Sequence, residues 1–141
     1  MKFKEQFVQR DQHRIYAREY AGAEPAIILM HGFPDNLHLY DRLLPYLAAR
    51  RIVTFDFLGW GSSDKPLSYP YTAKNQEGDL DAVVKQLELG QVVPVAHDAS
   101  GIFMELQNHP RAAPSVTGAE HSVARRETSE SGLLWPRHVF E

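Results

Sequence analysis

Val95-Ala96-His97-Asp98-Ala99-Ser100-Gly101 is the stretch on which the interpretation of this chain turns. It follows a short apolar run, Val92 to Ala96, that reads as a strand, and it leads into a segment of helical character. A nucleophile presented at a sharp strand-to-helix turn sits in a strained backbone conformation, so the residues two before and two after it must be small. Asp98 meets that condition with Ala96 and Ser100. Ser100 does not, because its flanking positions are Asp98 and the bulky Ile102. Asp98 is therefore the candidate nucleophile. Taken alone, an Asp at the end of a strand also suits a helix N-cap or a solvated loop, and the surrounding segments have to decide between these.

The first such segment is Ala26-Ile27-Ile28-Leu29-Met30, continuously apolar as in a strand covered on both faces of a parallel sheet. It runs into His31-Gly32-Phe33-Pro34, which places a second strand end beside the first. There the backbone N–H groups of Phe33 and Ala99 would point at a developing negative charge and form an oxyanion hole. The alternative is a Gly-Pro turn with a structurally bonded His31. His97, Gly32 and Pro34 would support the same edge. The second segment is the β-branched run Arg51 to Asp56, followed by Phe57-Leu58-Gly59-Trp60-Gly61-Ser62-Ser63-Asp64-Lys65-Pro66. Its glycines suit a tight loop over an active-site edge, and Asp56 and Asp64 read as carboxylates that bind backbone within it.

The remaining pattern fixes the fold class. Gln6 to Arg10 and Arg14 to Tyr20 predict an opening antiparallel hairpin around Asp11-Gln12. After a cap at Asp35 or Asn36, the spacing of Tyr40, Leu43, Leu44 and Leu47 predicts a helix, interrupted or restarted at Pro45. Leu80, Val83, Val84 and Leu87 predict a second helix, with Gly90 placed to end it. Strand, helix, strand, helix, strand after a hairpin is the order of an α/β fold with right-handed parallel crossovers. Pro94 is awkward in a central strand, where a ladder position wants an N–H. From about His109 the periodicity fades, so residues 1–110 are expected to form a partial α/β core domain and 111–141 a divergent or poorly ordered tail.

Composition narrows the partners. A chain of 141 residues with 43% hydrophobic residues suits a single small domain. The formal charge of -3, with acidic and basic residues interspersed, gives no basic stripe for nucleic acid or anionic lipid. The polar N-terminus and the lack of a long apolar run argue against a signal segment or membrane span. With no cysteine there is neither a disulfide framework nor a thiolate metal site, which suits the cytoplasm. A small-molecule substrate is the expected partner.

Taken together, His-Gly-Phe-Pro at 31–34, Asp-Phe-Leu-Gly-Trp-Gly-Ser-Ser-Asp-Lys-Pro at 56–66 and His-Asp at 97–98 resemble the α/β-hydrolase fold family, in its Asp-nucleophile branch. That branch includes epoxide hydrolases and haloalkane or haloacid dehalogenases. The resemblance covers residues 5–110. It implies that Asp98 attacks an electrophilic carbon to form an ester, which a His-activated water then hydrolyses, without a metal or organic cofactor. Ala99 departs from the pattern, since these relatives commonly place an aromatic residue or arginine there to receive a leaving halide. The family's second acid and C-terminal His are not matched by motif at His109, His121 or His138.

Two functions are therefore expected to compete. The first is a hydrolase with a covalent ester intermediate. The second is a truncated, non-catalytic remnant or small-molecule-binding module lacking the base His, with residues 111–141 read as a replaced or frame-changed continuation. A parallel sheet cut after the elbow strand is also expected to expose an edge through which the chain can self-associate.

Overall fold

Alternating side chains build the opening hairpin: β1 (Lys4–Arg10) and β2 (His13–Tyr20) pair antiparallel, from Lys4 opposite Glu19 to Arg10 opposite His13. Asp11 turns the chain with φ 53, a left-handed conformation that Asp tolerates better than most side chains. These elements are those of a computed structural model of the chain, in which residues 1–98 are described. The proposed boundary at residue 110, the tail over 111–141 and the elbow residues Ala99, Ser100 and Gly101 lie outside the described residues.

The continuously apolar run becomes β3 (Ala23–Met30), which lies between β4 (Arg50–Phe55) and β5 (Val92–Ala96) and is parallel to both. The sheet order is β1-β2-β4-β3-β5, so the hairpin joins the parallel part through an antiparallel β2–β4 pairing. Residues of β3 go to both faces, which explains the lack of alternation. Ile28 and Met30 join Val8, Ile15, Val53, Phe55, Leu80 and Val83 on one side, where α1 (Ala73–Gln86) packs. Leu29 joins Tyr20, Ile52, Tyr40 and Leu44 on the other.

Two expectations are corrected. The predicted helix over Tyr40 to Leu47 is instead two short 3-10 segments, Leu37–Tyr40 and Leu44–Leu47. Pro45 is the reason, because it offers no N–H and its ring excludes the preceding turn's carbonyl. Of the two proposed caps it is Asn36 whose side chain accepts from the His38 N–H, at 3.0 Å. Tyr40 still reaches the core and donates its hydroxyl to the Met30 carbonyl at 2.7 Å.

The second correction concerns the end of α1. The left-handed residue is Glu88, with φ 50, rather than Gly90. The Glu88 N–H returns to the Lys85 carbonyl and the Leu89 N–H to the Val84 carbonyl, the paired bonds of a Schellman motif. Buried Leu89 anchors that turn in the core, and this outweighs the conformational preference that favoured glycine.

Pro94 also finds its explanation. The His97 N–H donates to the Met30 carbonyl at 3.0 Å. Backbone groups alternate sides along a strand, so the nitrogen of Pro94 faces away from β3. Among the described residues β5 is an outer strand of the sheet, and the proline there forfeits no ladder bond.

Candidate active site

The carboxyl ends of β3, β4 and β5 meet at one edge and deliver His31-Gly32-Phe33, Asp56 and His97-Asp98 respectively. In open α/β sheets this is the edge at which ligands bind. Asp98 is exposed and has φ 51, the left-handed conformation also found at Asp11, which Asp tolerates better than most side chains and which still costs up to about 1–3 kcal/mol that its surroundings must offset. Gly32 is what lets the two strand ends touch. A Cβ built there would stand 2.4 Å from the His97 carbonyl oxygen and 2.7 Å from the Asp98 Cβ.

His31 is held from both ring nitrogens. Its Nδ1 is 2.9 Å from the Gly32 carbonyl and its Nε2 is 3.1 Å from the Phe57 backbone nitrogen. A carbonyl requires a donor and an N–H requires an acceptor, so both bonds together demand the neutral Nδ1–H tautomer. Burial pushes the His31 pKa below its ordinary value, in the same direction. The ring is also met edge-on by Phe57 and Trp60, at centroid distances of 5.3 and 6.2 Å. His31 therefore ties the loop after β3 to the loop after β4. The Gly32 carbonyl accepts a second bond, from the Asp35 N–H at 3.0 Å, which closes the turn around Phe33 and Pro34. The Phe33 side chain is exposed, and the bond to Pro34 is cis.

Because the folded pKa of His31 lies below that of a free imidazole, this residue adds stability above about pH 6.5 that is lost as pH falls. The expected result is that His31 ring resonances keep the neutral Nδ1–H pattern at pH 6.5. Proton NMR across pH 5–8 checks it, and half-protonation at pH 6.5 would contradict the assignment.

Asp56 is buried beneath the same edge and accepts from two loops at once. Oδ1 takes the Leu37 N–H at 2.7 Å and Oδ2 takes the Ser62 N–H at 2.8 Å. Its own carbonyl receives the Ser63 hydroxyl, and Ser63 Oγ in turn accepts from the Tyr16 N–H at 2.8 Å. Asp64 Oδ2 takes the Arg14 N–H at 2.8 Å. Both carboxylates thus bind backbone, the role their loop positions suggested.

Sequence reasoning passed over Asp79. Fully buried on the core side of α1, it accepts the Leu58 N–H at 3.2 Å and lies 2.9 Å from the Tyr69 hydroxyl. The signal was present: Asp79 precedes Leu80 and stands four residues before Val83, inside the apolar stripe of the helix. Two open concavities among the described residues lie away from the carboxyl edge, one of them beside Arg10, Asp11 and Gly78. The other, lined by Glu24, Pro25, Gly90 and Gln91, is at the opposite ends of β3 and β5. No helix among the described residues is long and apolar enough to cross a membrane.

A mixed sheet with helix α1 on one face and 3-10 turns on the other is an α/β architecture. The profile of the alpha/beta hydrolase fold matches residues 25–104, and the chain belongs to that family. It is 34% identical over 133 residues to an epoxide hydrolase of Caballeronia sordidicola, covering 85% of this chain and 40% of that one. It is 35% identical over 85 residues to a fluoroacetate dehalogenase of Burkholderia sp., covering 57% of this chain and 28% of that one. A solved Vigna radiata epoxide hydrolase mutant superposes with a TM-score of 0.69 at 27% identity, over 77% of this chain and 36% of that one. The chain spans less than half the length of each of these relatives.

Proposed function

We propose that this chain carries the nucleophile side of an epoxide hydrolase- or dehalogenase-type active site acting on a small electrophilic substrate. The observation that carries the reading is the strained backbone of exposed Asp98 packed against Gly32. Holding an exposed carboxylate in a costly conformation is what presenting a nucleophile at a strand end requires. The kinship with an epoxide hydrolase and a dehalogenase supports the same chemistry.

In this mechanism a carboxylate oxygen of Asp98 attacks carbon. The new C–O bond forms as the epoxide C–O bond breaks, leaving an alkoxide that takes up a proton, or as a carbon–halogen bond breaks and halide departs. Water then adds to the ester carbonyl, releasing the alcohol and restoring the carboxylate. The Phe33 and Ala99 N–H groups are assigned to the oxyanion of that second step, with Gly32, Pro34, His31 and His97 shaping the edge. Nothing in these steps calls on a metal or organic cofactor. A cysteine-free chain of this kind suits a reducing cytosol, the compartment we propose for it.

A second reading is a binding remnant or single-turnover trap, for which His31 supplies no base. With both ring nitrogens engaged, it is unavailable as the base for ester hydrolysis. Mass spectrometry after incubation with a panel of epoxides and alkyl halides separates the two. The expected result is an ester adduct on Asp98 that is absent from Asp98→Asn. Turnover without accumulation supports the complete hydrolase, and a stable adduct supports the trap. Folded protein that forms no adduct and no product would overturn the hydrolase and the trap alike and leave the binding remnant.

A further inference from the structure

Asp79 is buried among hydrogen-bonding groups that can be arranged around it in two ways. The Tyr69 hydroxyl lies 2.9 Å from Asp79 Oδ1 and 3.0 Å from the Asn75 carbonyl, yet it has one proton to give. Arg10 Nε lies 3.5 Å from the same Oδ1, buried and without a hydrogen bond, while Arg10 Nη1 is held by Asp11 at 2.6 Å. Gly78 makes room for this guanidinium, since a Cβ there would stand 2.4 Å from Arg10 Nη2.

The two arrangements belong to the two states of the carboxyl. A neutral Asp79 donates its proton to the Tyr69 oxygen, freeing the Tyr69 proton for the Asn75 carbonyl, and Arg10 stays on Asp11. An ionised Asp79 draws in the Tyr69 proton and Arg10 Nε together. In both states Oδ2 faces the Leu58 N–H, and the preceding residue, Phe57, donates to His31. The carboxyl therefore sits one residue from the bond that ties the β4 loop to the turn around Phe33.

We infer that Asp79 is a positioning residue for this edge, a two-state clamp in which the neutral carboxyl donates to Tyr69 and the carboxylate gathers Tyr69 and Arg10. That the edge is catalytic rests on the function proposed above; the clamp itself does not. The titratable and charged groups facing Asp79 are Arg10 from β1, Asp11 from the hairpin turn and Tyr69 from the loop before α1. Burial pushes the Asp79 carboxyl up to about 6, against the opposing effects of Tyr69, the Leu58 N–H and Arg10. Since the folded carboxyl keeps its proton to higher pH than the unfolded one, Asp79 favours the folded state at low pH. That contribution is lost as pH rises through about 6.

The test is a carbon and amide NMR titration of the whole chain from pH 4 to 8, following the Asp79 carboxyl and the Leu58 and Phe57 amides. The expected result is a shared midpoint near 6, well above an ordinary aspartate. Arg10→Gln should move the midpoint upward, because it removes a cation that favours the carboxylate. Asp79→Asn places an amide donor toward Tyr69, and it should hold the Leu58 amide at its low-pH position across the range. An Asp79 midpoint near 4, a Leu58 amide that does not move, or one that still titrates in Asp79→Asn would overturn the clamp. None of these signals uses Asp98, so a missing ester adduct leaves the clamp standing, and a failed titration leaves the nucleophile standing.

Discussion

Asp56→Ala is expected to lower the stability of the chain by about 1–3 kcal/mol, because it orphans the buried Leu37 N–H and an unsatisfied buried group costs about that much. The Leu37 N–H is buried and has the Asp56 carboxylate as its acceptor, while the Ser62 N–H belongs to a loop wrapped tightly around the same group. Gly61 shows how tightly: it has φ 48, and a Cβ there would lie 1.9 Å from Asp56 Oδ2. With the carboxylate gone, the loops after β3 and β4 lose their common anchor. Urea unfolding of Asp56→Ala beside Asp64→Ala measures this. Asp64 makes a similar bond to Arg14, but its side chain is 33% exposed, so water can replace it and the loss there should stay below about 1 kcal/mol. Equal effects at the two positions would show that Asp56 is not the anchor.

Gly32→Ala is expected to reduce the rate of adduct formation at Asp98 by about 100-fold or more, the order of effect that an ångström-scale misplacement of reacting groups produces. The added methyl has nowhere to go. At 2.4 Å from a backbone carbonyl and 2.7 Å from the Asp98 Cβ, it must push one strand end off the other. Neither neighbour is the far end of a flexible side chain, so the displacement falls on the backbone that holds Asp98 in its left-handed conformation. Time-resolved mass spectrometry of the adduct checks the rate, and the Asp98 amide resonance reports whether the turn has moved. An unchanged rate with the methyl in place would mean that contact between the strand ends is not what presents Asp98.

The strands were legible because each carries a simple pattern. Ile15 and Ala17 alternate toward one core cluster with Tyr16, Arg18 and Tyr20 on the opposite face, and Ile28, Leu29 and Met30 run together because both faces of β3 are covered by apolar residues. Asp98 stood out as a candidate from its small neighbours, a local restriction, and the segments at 31–34 and 56–66 were needed to weigh it against a cap or a loop residue. Long-range partners gave no such local mark. Asp56 read as a loop carboxylate, but nothing in its neighbourhood says that it also reaches Leu37, nineteen positions away. Asp79 stood in an apolar stripe as a plain anomaly, and its partners Leu58, Tyr69 and Arg10 come from different elements.

The sequence by itself determined the α/β class and the order of elements along the chain, and it singled out Asp98 as the candidate at its strand end, because periodicity and glycine placement act over a few residues. Tertiary structure alone decided where α1 ends, how residues 37–47 are wound, which tautomer His31 holds and which carboxylates are buried. Each of those depends on what stands opposite in space. Leu89 in the core outweighs Gly90 in the turn, and two backbone groups from different loops fix one imidazole. Such terms arise only when the chain has folded, since burial and hydrogen-bond satisfaction belong to contacts between segments.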